Sequence, residues 1–331
     1  MIRIALTAVI VLTLAAAPAP AQKKKGNNRR KAVIDAKKAG PDFKFQGEYV
    51  GQLGGEDDKQ KWGLQVIARG DGTFDAVAYG GGLPGAGWNG EDKITAAGKR
   101  EGKTVTLTSD RGTATIQDGV ATIKDADGDS LGSMKKVTRK SPTLGAKPPK
   151  GAVVLFDGSS AKNFVGGKKT EDGLLMPGTM SKQKFQSCTL HMEFLLSYMP
   201  YARGQGRSNS GVYLQGRYEV QILDSFGLEG KNNECGGIYG VKDPAVNMCL
   251  PPLQWQTYDI TFTAAKYDDA GKKTANARMT VKHNGVLIHD DVPVPKSTRG
   301  SRLKEGAVAG PLYIQNHGNP LRFRNIWVVK K

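Results

Sequence analysis

The chain is predicted to be all-β: a small antiparallel β meander or barrel, followed by a two-sheet jelly-roll sandwich. Short runs of alternating apolar and polar residues recur about every ten residues between Gly-rich turns. Helical periodicity is nearly absent from end to end. In the second half, HNGVLIHD places Asn284-Gly285 between two such runs, the composition of a type I′ hairpin turn.

The first 40 residues stand apart from both units. A start with one positive charge at Arg3, an apolar run over 4–14 and the small residues Ala19-Pro20-Ala21 follow the order of a secretory signal peptide over 1–21, cleaved after Ala21. The run is too short to span a bilayer as a permanent anchor, so a secreted or periplasmic protein without a transmembrane segment is expected. Residues 22–40 read as a disordered basic tail, since 23–40 carry eight Lys/Arg against Asp35 and too little apolar surface to offset chain entropy. Such a tail suits either association with an anionic envelope surface or a solvated spacer. Of the formal excess of +17, the 18 residues 23–40 thus carry +7, against +1 over 41–150 (16 basic, 15 acidic) and +8 spread over 151–331 (23 basic, 15 acidic), so the charge is densest in the tail. In an exported chain without a recognised binding motif, this argues against a nucleic-acid partner.

Residues 41–140 hold seven strand-like runs, at 48–53, 64–69, 73–79, 104–108, 113–117, 121–124 and 131–137. This stretch contains no His, no Cys and no carboxylate pair in a special setting, so an accessory all-β domain is expected. The Pro-, Gly- and Lys-rich stretch 141–150 reads as a linker, which would let the unit from 151 fold alone.

In 151–331 strands are expected at 152–156, 188–195, 211–214, 218–223, 256–263, 277–283, 286–290, 310–315 and 322–329. Period-two alternation then separates two faces. Leu190, Met192 and Phe194 oppose His191 and Glu193; Val212 and Leu214 oppose Tyr213 and Gln215; Tyr218, Val220 and Ile222 oppose Glu219 and Gln221; Leu312 and Ile314 oppose Tyr313, Gln315 and His317. The second set is rich in hydrogen-bonding and proton-transfer groups, suited to a hydroxyl-rich ligand. The long stretches 197–208 and 225–254 have the length of binding loops. Cys188, Cys235 and Cys249 are odd in number, so at least one is unpaired. A local 235–249 disulfide and three small buried thiols are both compatible with the spacing.

Six segments carry a family resemblance: VVLFDGSSAKNF (153–164), NSGVYLQGRYEVQILDS (209–225), GGIYGVKDPAVN (236–247), PPLQWQTYDITF (251–262), NGVLIHDDV (284–292) and GPLYIQNHGNPLRFRNIWV (310–328). In this order they resemble the 3-keto-disaccharide hydrolase domain family, over essentially all of 151–331 and none of 22–150. The resemblance implies a jelly roll of the concanavalin type found in lectins and glucanases. It also implies cleavage of the glycosidic bond of 3-keto-glycosides: a base removes the C2 proton, the C1 substituent is eliminated, and water adds to the enone.

That chemistry asks for one base, one acid and a donor at the ketone oxygen. Glu219 and His317 are the expected acid–base pair, with Glu193 as a second catalytic carboxylate. His191, Asn209, Tyr213, Gln215, Arg217, Gln221, Asp224, Gln315, Asn319 and Arg322 are the expected substrate-binding residues, Arg322 or Arg324 being placed to polarise a ketone. No cofactor is required, although Glu193, Glu219 and His317 together would suit a divalent metal. Two other classes share the fold: a conventional glycoside hydrolase with two carboxylates, and a lectin without acid–base groups.

Overall fold

The computed structural model describes residues 31–55 and 58–331. The expected signal peptide and residues 22–30 of the basic tail lie outside the described residues. Among the described residues no helix is long and apolar enough to cross a membrane.

Among the described residues, all regular structure beyond three short 3-10 turns is β. In the first unit, β1 (Gly47–Leu53), β2 (Gln60–Gly70), β3 (Thr73–Gly80), β4 (Lys93–Glu101), β5 (Thr104–Ser109), β6 (Gly112–Gln117), β7 (Val120–Asp125) and β8 (Ser130–Val137) pair in sequence order, and β8 returns to β1 to close a barrel. Seven of these strands were expected. β4 escapes the alternation reading because two of its inward residues are Ala96 and Gly98, which give little apolar signal. Tyr49, Val66, Phe74, Val105 and Ile116 pack inside the barrel, and Phe45 joins them from the chain that precedes β1.

The second unit contains β9 (Val153–Phe156), β10 (Phe164–Val165), β11 (Thr179–Phe185), β12 (Cys188–Leu195), β13 (Ser210–Leu214), β14 (Tyr218–Ile222), β15 (Trp255–Thr263), β16 (Lys266–Tyr267), β17 (Lys273–Ala275), β18 (Ala277–His283), β19 (Val286–Val294), β20 (Gly310–Ile314) and β21 (Arg322–Lys330). Five strands form one sheet in the order β10-β11-β20-β13-β14, and six form another in the order β19-β18-β15-β12-β21-β9. Val212, Val220, Ile222 and Ile314 from the first sheet share one core with Leu190, Met192, Phe194 and Ile260 from the second. Each such side chain contributes about 1.5–3 kcal/mol by leaving water. The hairpin between β18 and β19 turns through Asn284 and Gly285, at φ 51° and 82°, the left-handed pair that a type I′ turn requires.

Two expectations for the connecting segments are corrected. Residues 141–147 are not a free tether but a strap across the six-stranded sheet. Ser141 is buried with its hydroxyl 2.6 Å from that of Thr257, Thr143 donates to Asp259, and the Gly145 N–H donates to Glu193 Oε1 at 2.6 Å. The polar outer face of that sheet supplies these partners, which a tether would leave to water. The end of the basic tail is likewise anchored, since Val33 exchanges two backbone hydrogen bonds with Tyr198. Cys188, Cys235 and Cys249 are all free and buried.

Candidate active site

The outer face of the five-stranded sheet holds a polar pocket of about 310 Å3. Antiparallel pairing sets Tyr213 of β13 directly across from Glu219 of β14, and the same alternation that sends Val220 and Ile222 into the core aims Glu219 and Gln221 outward. Loops then wall the face in. The segment 236–239 runs along β14 through hydrogen bonds to Gln221 and Glu219, which brings Tyr239 to the rim. Thr298 accepts from the Glu219 N–H and donates to the Arg217 carbonyl, which fixes Arg299 and Gly300 on another side. Gln315 and His317 enter beyond the end of β20, where the Gln315 N–H still pairs with Gly211. Gln205 and Asn209 complete the lining.

Glu219 is 2% exposed, and no basic side chain pairs with it among the described residues. Burial pushes its carboxyl up to about 8 from the usual 4.5, opposed only by a hydrogen bond with the Tyr213 hydroxyl. That hydroxyl also reaches the Arg299 carbonyl at 3.0 Å and accepts from Gln315 Nε2 at 3.1 Å. The fit is close: a Cβ at position 211 would lie 2.0 Å from Glu219 Oε1, and one at position 300 would lie 2.8 Å from the Tyr213 hydroxyl. Gln221 Nε2 donates to Gln205 Oε1, and Asn209 Nδ2 donates to the same oxygen, while Asn209 Oδ1 is buried without a partner. His317 is exposed at the rim.

Of the residues expected from sequence, Glu219, His317, Asn209, Tyr213, Gln221 and Gln315 thus come together here. Others do not, and each has a physical reason. Glu193 and His191 have the expected outward parity, but β12 belongs to the six-stranded sheet, so they lie on the opposite side of the sandwich under the strap. There Glu193 accepts from Arg324, Asn325 and the Gly145 N–H. These bonds and the nearby His191 outweigh burial and hold its carboxyl down at about 2. For His191 burial, the largest influence, lowers the pKa, yet Asp259 at 2.6 Å together with Glu193 raises it to about 8. The ring stacks on Trp327 at 4.9 Å.

Arg217 spends its donors on the Lys304 and Val308 carbonyls and on Gln215 Oε1, and so fastens a loop. Gln215 sits at φ 54° in the β13–β14 turn and donates to the Phe185 carbonyl. Asp224 is buried against Arg207 at 2.7 Å. Asn319 accepts from the Asn209 N–H, behind the pocket, and Arg322 donates to the neighbouring Leu321 carbonyl at the start of β21. Because Glu193 lies on the other sheet, the Glu193–Glu219–His317 metal set is not assembled. Among the described residues no cluster of three or more His, Cys, Asp or Glu side chains could hold a metal ion.

Sequence reading missed Gln205, Tyr239, Arg299 and Gly300. The first two lie in stretches whose length marked them as binding loops; the strand-poor stretch 295–309 offered the same signal for the other two.

Against known families, residues 151–329 match the model described as the 3-keto-alpha-glucoside-1,2-lyase-like domain. Among solved structures, a "putative glycosyl hydrolase" from Parabacteroides distasonis ATCC 8503 is 31% identical, covering 55% of this chain and 85% of its own, with a TM-score of 0.49. A second chain so described, from the same organism, is 16% identical over 55% of this chain and 94% of its own, with a TM-score of 0.40. No curated protein matches the chain.

Proposed function

The chain belongs to the 3-keto-alpha-glucoside-1,2-lyase-like domain family through residues 151–329, and on that premise we propose that the polar pocket cleaves 3-keto-glycosides by elimination and hydration. The observation that carries this reading is the count of carboxylates: among the described residues that line the pocket, Glu219 is the one acidic residue. A conventional glycosidase uses two carboxyl groups, about 5 Å apart for retention or farther for inversion. Elimination next to a ketone needs one base.

The atoms balance as follows. Ionised Glu219 takes the proton from C2, and the C–H electron pair becomes the enolate of the C3 ketone. The enolate collapses, the C1–O bond breaks, and its electron pair leaves on the aglycone oxygen, which receives a proton from His317. Water adds its oxygen to C1 of the enone and gives a proton to His317, while Glu219 returns its proton to C2, so both groups end as they began. The Gln315 amide and the Arg299 guanidinium are the donors for the enolate oxygen, and the amides of Gln205, Asn209 and Gln221 hold hydroxyl groups. Asn209 Oδ1, buried and unpartnered, is an acceptor that a sugar hydroxyl would satisfy. With its carboxyl near 8, Glu219 is a strong base once ionised. On this reading the expected leader 1–21 directs the enzyme to a secreted or periplasmic location.

The test is aglycone release from a 3-keto-glucoside and from its unoxidised parent. Fast release from the keto compound, slowed by deuterium at C2 and nearly abolished in Glu219→Gln with little change in KM, is the expected result. Equal rates on both substrates, with no solvent deuterium entering C2, would replace elimination by direct hydrolysis.

A further inference from the structure

The first unit contains a second cavity that the chemistry above does not use. The barrel is solid at one end, where Tyr49, Phe74 and Phe45 fill its axis. Toward the other end, where the β1–β2, β5–β6 and β7–β8 turns lie, the interior opens into a cavity of about 330 Å3. Its wall is kept clear by small inward residues on three strands, Ala78, Ala96 and Ala114, and the larger apolar groups Trp62, Ile94 and Ile123 stay only half-buried around it.

An eight-stranded barrel is just wide enough to be filled by its own side chains or to hold one small ligand. Bulkier residues at the three alanines would give the first outcome and bury the exposed faces of Trp62 and Ile94. The alanines give the second. Size selects the occupant: a dry apolar cavity of about 150 Å3 takes benzene, so one about twice as large takes a body of roughly ten carbon atoms. At the mouth the described lining includes Asp58, Gln60, Ser109 and Arg111, groups of both charge signs. Arg111 keeps only a 3.9 Å contact with Asp110, both side chains being well exposed. The apolar interior, and not the mixed polar rim, is therefore what selects a ligand.

We propose that the barrel is a binding site for a compact apolar organic molecule of about the size of a bicyclic aryl compound. Burial of its apolar surface among Trp62, Leu64, Ile94, Leu107 and Ile123 holds it.

Calorimetric titration of the full chain with 2-naphthol, an uncharged bicyclic aryl compound, tests this. One molecule should bind per chain, and Ala96→Phe, which places a ring in the cavity, should weaken binding at least tenfold. Ala114→Leu fills the same space from another strand, so the test survives if one variant misfolds. Circular dichroism and thermal melting identify folded variants. Absence of binding to the wild type, or undiminished binding to folded filled variants, overturns the proposal.

Discussion

Replacing Glu219 by Gln should stabilise the protein, by an amount that grows with pH. The carboxyl is pushed by burial from 4.5 to about 8, so the folded state keeps its proton where the unfolded chain has lost it. A folded-state value above the unfolded one means that an acid opposes folding increasingly as pH rises from 4.5, reaching a constant cost above 8. At about 1.4 kcal/mol for each unit, the cost is about 3 kcal/mol at pH 7 and about 5 kcal/mol at pH 9. Glutamine keeps the shape and still offers an oxygen to the Tyr213 hydroxyl, but has no charge to bury. Urea unfolding of both proteins at pH 4.5, 7 and 8.5 should show nearly equal stabilities at the first pH and a gap of about 3 kcal/mol in favour of the variant at the second. At pH 7 the melting temperature should rise by roughly 6–12 °C. A gap that is constant across this range would show that Glu219 is not a buried acid with a raised pKa. With an activated aryl leaving group, which needs no acid, the same group gives kcat/KM of the wild type a rise with pH toward a plateau above about 8; a fall through that region would make Glu219 the acid.

Three further outcomes are expected. Glu193→Gln should leave turnover intact but cost about 2 kcal/mol at pH 7, because a carboxyl held at about 2 stabilises the fold fully above pH 4.5 and loses that contribution as pH falls toward 2; this figure allows for the 38% exposure of its Arg324 partner, and unfolding at pH 7 and pH 2.5 checks it. Gly211→Ala would put a methyl group 2.0 Å from Glu219 Oε1, so kcat should fall at least a hundredfold; steady-state kinetics on the keto-glucoside that match the wild type would refute the placement of that carboxylate. A chain beginning at Pro148 loses the Gly145 and Ala146 partners of Glu193 and Asn325, so it should melt earlier while each folded molecule keeps its turnover, since no pocket residue precedes Gln205; loss of turnover in a folded truncation would show that the strap or barrel shapes the pocket.

Much of this protein is written locally. Val220 and Ile222 are fully buried while Glu219 and Gln221 line a pocket, as side-chain alternation along one strand requires, because successive side chains must leave opposite faces of the pleat. The Asn284-Gly285 turn follows from the ease with which those two residues take positive φ. What alternation does not contain is the identity of a strand's neighbours. β12 shows the same pattern as β13 and β14, yet it pairs with β15 and β21, so His191 and Glu193 end on the far side of the sandwich from Glu219. The strap over them, the weakly patterned β4 and the arrival of Tyr239 and Arg299 at the pocket have a common origin. Each depends on contacts between segments distant in the chain, and the energy of such contacts is decided by the packed whole and not by any short run of residues.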